Sequence, residues 1–128
     1  MTTASIQDRV SEIFADAQLM YTHAIERLEH GDIRDAAEKA WCAAKRATDA
    51  LALSHTGEEP PSTHDTTEAL LALARRSDAY ETLVGRYFTR ISYLHGTCFY
   101  SGICGLDVER RIRETDAYIA DAEVLSNR

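Results

Sequence analysis

Apolar side chains recur every three or four residues along most of this chain. From Ile6 to Leu28 they fall at Val10, Ile13, Phe14, Ala17, Met20, Tyr21 and Ala24, the spacing that keeps one face of a helix apolar. Gly31 stops that helix, and Asp32 can accept a hydrogen bond from the free N–H groups of the next, so the two form an antiparallel hairpin. The second stripe, Ala36, Ala37, Ala40, Trp41, Ala44, Ala47, Thr48 and Leu51, sets small side chains around one Trp and lets a neighbouring helix come close. The segment HTGEEPPSTH, from His55 to His64, holds Gly57, Pro60 and Pro61 and reads as a loop. Asp65, with Glu68 three residues on, predicts a capping box for a short third helix through Leu70, Leu71, Leu73 and Ala74. Ser77 caps a fourth, whose seam Leu83, Val84, Tyr87, Ile91, Leu94 and Cys98 continues past His95 toward Tyr100. Gly102 and Gly105 interrupt the pattern, and Asp107 opens a last helix with Val108, Ile112, Tyr118, Ile119, Ala122 and Leu125.

No stretch alternates long enough for a strand, and there is no internal repeat. The expectation is a single all-α domain over residues 1–128, an antiparallel bundle of four to five helices. Trp41, Leu83, Val84, Tyr87, Ile91 and Leu94 are its expected core. A chain of 128 residues can bury such a core without disulfides or a structural metal.

Composition narrows the setting. The longest uncharged stretch, Ile91 to Cys104 and on to Leu106, contains Ser, Thr, His and three glycines, poor material for a bilayer span. Met1 to Asp8 has neither a basic segment nor an apolar run, which predicts a cytoplasmic protein. Three cysteines, Cys42, Cys98 and Cys104, with no C-x-x-C pair argue against a disulfide framework and for reduced, mostly buried thiols. A net charge of −7 disfavours indiscriminate nucleic-acid binding, since phosphate affinity comes from Lys and Arg, while local clusters such as Arg86 with Arg90 leave room for RNA.

The candidate chemistry lies in Arg90-Ile-Ser-Tyr-Leu-His95. Arg holds a phosphate and His moves a proton near neutral pH, the pair needed when a 2′-hydroxyl attacks its neighbouring phosphate without a metal. Five residues on a regular helix set the two side chains about 140° apart, so one chain presents both only if Arg90 curls round or the helix loosens, as Gly96 permits. The structural alternative pairs Arg90 with a carboxylate and hydrogen-bonds His95 inside the bundle. Arg86, one turn before Arg90, is a candidate phosphate ligand, and Asp78 and Glu81 could tune the site. His55, His64, Glu58, Glu59 and Asp65 form a polar cluster whose spacing matches no metal-ligand pattern, so capping and loop packing are expected there, with no metal and no cofactor. His23 and His30 are expected to face solvent. No glycine-rich phosphate cradle follows a strand.

The segment Gly31-Asp-Ile-Arg-Asp-Ala-Ala-Glu-Lys-Ala-Trp41-Cys-Ala-Ala-Lys-Arg-Ala, the loop end Pro61-Ser-Thr-His64-Asp and the Arg90 to His95 pair together resemble a HEPN domain. Within that superfamily Glu38-Lys-Ala-Trp41 and Leu94-His95-Gly-Thr-Cys-Phe99-Tyr100-Ser-Gly102 resemble the archaeal PaREP-type proteins. The resemblance implies a helical bundle that homodimerises and belongs to a toxin–antitoxin or defence-type system, with a nucleotidyltransferase as a possible partner protein. It also implies either metal-independent RNA cleavage by Arg90 and His95 or a silent module that binds RNA, a nucleotide or a protein. Active members carry a polar residue directly after the Arg, and here that residue is Ile91. A silent binding module is therefore the leading expectation, a ribonuclease the alternative, and a purely structural helical dimer the third.

Overall fold

A computed structural model describes residues 2–128. It is all-α. Helix α1 (Thr3–Glu29) and helix α2 (Ile33–Thr56) form the antiparallel hairpin, joined at Gly31, whose φ of 82° a glycine adopts without Cβ strain. Asp32 caps α2 by accepting from the Asp35 amide, as its position predicts. Every alanine of the α2 stripe is buried, which lets α1 lie along it closely. Helix α3 is Thr63–Arg76, and helix α4 (Glu81–Thr89), entered through a 3-10 turn at Asp78–Tyr80, runs on without interruption as a π-helical segment, Arg90–Tyr100. Helices α5 (Val108–Arg113) and α6 (Thr115–Ser126) close the bundle against α1 and α2. No helix of the described residues is long and apolar enough to cross a membrane.

Trp41 anchors the core as expected, its ring edge-on to Tyr87 at 5.3 Å between centroids. Four features of the fold differ from the sequence reading. The cap of α3 is Ser62, not Asp65: Ser62 Oγ accepts from the Asp65 amide and donates to its carboxylate, so the capping pair sits one turn earlier, directly after the two prolines. The single last helix is two, broken at Glu114. The inward seam of α4 and the π segment is Tyr80, Leu83, Tyr87, Arg90, Leu94 and Cys98, while Val84 and Ile91 are only half-buried beside it. Arg90 takes the place given to Ile91 because it, and not Ile91, lies seven residues after Leu83. Finally, Cys98 and Cys104 form a disulfide, their Cα atoms 4.4 Å apart, and only Cys42 is free. The odd count says nothing about local geometry: Gly102, at φ 73°, turns the chain back on itself after Tyr100 and brings residues six apart together.

Candidate functional site

The π segment begins at Arg90, passes His95 and ends at Tyr100, so both candidate residues lie within it. Its hydrogen bonds skip five residues, as from the Ser101 amide to the Gly96 carbonyl at 3.1 Å. In that register side chains five apart stand roughly 50° apart round the axis, not the wide angle of a regular helix. Segments of this kind are rare and concentrate at functional sites.

Arg90 nevertheless points inward. It is 1% exposed, and its three guanidinium nitrogens all donate: Nε to Thr115 Oγ1 at 2.9 Å, Nη1 to the Arg86 carbonyl at 3.0 Å and Nη2 to the Arg111 carbonyl at 3.0 Å. The Arg111 carbonyl belongs to the break between α5 and α6, where a helix end leaves acceptors without intrahelical donors. The guanidinium also lies 5.8 Å from the centre of the Tyr118 ring. No carboxylate bonds to Arg90, contrary to the expected ion pair. Burial pulls its pKa down to about 10, although Tyr118 favours the charged form, and Arg86 and Arg111 oppose it.

His95 turns the other way, toward α2. Its Nδ1 lies 2.6 Å from Glu38 Oε1. A carboxylate only accepts, so Nδ1 carries the hydrogen and Nε2, when the ring is neutral, presents a lone pair. Trp41 supports the ring from the core at 5.9 Å, Phe99 stacks on it at 6.4 Å, and Tyr100 stands edge-on at 5.0 Å. The imidazole keeps 31% of its surface and Tyr100 is mostly exposed. The arrangement is a carboxylate-oriented histidine with aromatic walls, able to accept a proton or hydrogen bond and to stack a flat ring. Arg90 and His95 share no hydrogen-bond partner within the chain.

Arg86 lies beside Arg90 on the Tyr118 ring, 5.5 Å from its centre, with Nη2 paired to Asp121 at 2.8 Å and Nε donating to the Thr82 carbonyl. Asp78 and Glu81 are exposed and bond to none of these groups. The loop cluster does not converge. His55 bonds the Leu125 carbonyl and the Tyr80 hydroxyl, Glu59 bonds Arg9, and His64 is exposed on α3. No three His, Cys, Asp or Glu side chains among the described residues are grouped to hold a metal. His30 is exposed, whereas His23 is half-buried rather than facing solvent. A groove of about 500 Å³ lies elsewhere, between the start of α1, His55 and the end of α6.

Sequence reasoning missed Glu38, the orienting carboxylate, and Arg34, which holds the Phe99 and Tyr100 carbonyls. A signal existed for Glu38: it lies one turn before Trp41, on the rim of the apolar stripe.

The family model described as "Archaeal PaREP1/PaREP8 family" matches residues 12–121. No curated protein and no solved structure matches the chain.

Proposed function

The chain belongs to the archaeal PaREP1/PaREP8 family, and from that premise we propose that it is a HEPN-like, dimeric helical module that binds RNA or a nucleotide rather than cutting it. Such a module fits a toxin–antitoxin or defence-type system, in which a nucleotidyltransferase is a natural partner protein. The observation that carries binding over cleavage is the commitment of Arg90. Its guanidinium is 1% exposed and three of its five N–H groups donate to internal acceptors, so it presents no donor at the surface to a phosphate, and turning it outward would give up all three bonds. His95 and Tyr100 then form the ligand surface: the ring of Tyr100 offers a base a stacking face and Nε2 of His95 a hydrogen-bond acceptor.

A second reading, metal-independent cleavage of single-stranded RNA by Arg90 and His95, draws support from the π register, which loosens the helix between them. It requires Arg90 to leave its internal bonds or an Arg from a dimer partner to take its place, with Arg86 as a further phosphate ligand. Purified protein is incubated with labelled single-stranded RNA in EDTA, and binding is followed by fluorescence anisotropy. The binding reading expects a complex that His95→Ala and Tyr100→Ala weaken, with intact RNA recovered. RNA cut by the wild type and spared by His95→Ala would establish the ribonuclease instead.

A further inference from the structure

Beyond His95 the chain enters a loop held in an unusual way. Of residues 101–107 only Cys104 is not exposed, so its sulfur is the loop's one inward side-chain anchor, beside backbone hydrogen bonds from the Gly102 amide to the Cys98 carbonyl and from the Ile103 amide to the Thr97 carbonyl. It is bonded to Cys98, which is fully buried at the end of the π segment. Around that bond the loop carries Ile103 and Leu106 out into solvent, and just before it Tyr100 leans on the His95 ring. Residues with so few buried contacts open at little free-energy cost once a covalent tie is cut.

We propose that the Cys98–Cys104 disulfide is a redox clasp that fixes the loop after Tyr100 and thereby sets the shape of the His95 surface. A dithiol reductant is the co-reactant. Its thiolate attacks the half-buried Cys104 sulfur, forming a mixed disulfide and expelling Cys98 as a thiolate, which takes up a proton. The second thiol of the reductant then closes its own disulfide and releases Cys104 as a thiol. Two electrons and two protons pass to the protein. The thiol form is provided for: Cys98 Sγ lies 3.9 Å from the Ile33 carbonyl and Cys104 Sγ 3.6 Å from the Cys98 carbonyl, so each thiol has an acceptor in place. Reduction frees the 101–106 loop and lets Tyr100 leave the imidazole. The effect on ligand rests on the binding reading above; the clasp itself does not.

The test uses the full chain, air-equilibrated and then treated with dithiothreitol. Alkylation under denaturing, non-reducing conditions is expected to label Cys42 alone before reduction and all three cysteines after it. Hydrogen exchange over residues 99–106 should quicken at least about tenfold on reduction while α2 is unchanged, and Cys104→Ser should exchange fast in both states. Three labels before reduction, or equal exchange in both states, overturns the clasp. Anisotropy with a labelled single-stranded RNA provides the second arm, in which the two states should differ in affinity at least about threefold. Equal affinity with a responding loop overturns the coupling to His95. A responding loop with no RNA bound in either state upholds the clasp and overturns the binding reading.

Discussion

Glu38 Oε1 and His95 Nδ1 lie 2.6 Å apart, although 57 residues separate them in sequence. The contact fixes which ring nitrogen carries the hydrogen, because a carboxylate cannot donate. At a pH where the ring is neutral, long-range proton–nitrogen NMR should show the Nδ1–H tautomer in the wild type and a mixture in Glu38→Ala. The variant should lose about 1.5–3 kcal/mol of stability, the usual range for a hydrogen bond to a charged group. An unchanged tautomer in the variant would mean that the pair does not orient the ring.

Arg90 provides the second prediction. Arg90→Ala removes three internal hydrogen bonds and opens a cavity, so it should cost roughly 3–5 kcal/mol. Arg90→Lys should recover only part of this, since one ammonium cannot reach three divergent acceptors. Chemical denaturation measures both. A loss of activity in Arg90→Ala would therefore report on folding as much as on chemistry, and His95→Ala is the variant that separates the two.

Trp41 spans the core and the site, touching Tyr87 on one side and His95 on the other. Trp41→Ala should cost about 3–5 kcal/mol, the range for truncating a buried large aromatic. A loss below about 1 kcal/mol in urea would show that this face is not the core.

Acid should weaken the tie between α1 and the loop after α2. The hydrogen bond from Arg9, assisted by Arg46, holds the Glu59 carboxyl below its ordinary pKa, against a smaller opposing effect of burial. A carboxyl lowered on folding adds stability above its unfolded value, and that stability is lost as pH falls through the folded one. The pair is largely solvent-screened, so Glu59→Gln should cost on the order of 0.5 kcal/mol at neutral pH and progressively less as pH falls through the folded value. Denaturation of wild type and variant across that range decides it; a difference that grows toward acid would reverse the assignment.

Light scattering tests the proposed homodimer. At micromolar concentration the particle should have twice the 14.3 kDa mass of the chain. A particle of the single-chain mass would remove the dimer and, with it, any Arg supplied by a partner copy to His95.

The helices and much of the core were legible in the pattern of residues alone. Spacing of apolar residues is a property of each helix alone, so the Gly31–Asp32 hairpin, the alanine face of α2 and Trp41 could be read without neighbours. The same spacing contained the inward position of Arg90, seven residues after Leu83, but a charged side chain there was read as chemistry because nothing local announces its acceptors. Those acceptors, Thr115 and the Arg111 carbonyl, lie more than twenty residues away at a helix break that only packing creates. Glu38 meets His95, and Cys98 meets Cys104, for the same reason: a contact between distant or turned-back residues depends on how helices and loops are set against one another. The pairing of side chains at this site is therefore a product of tertiary structure, while the face each helix turns inward is already written in its own residues.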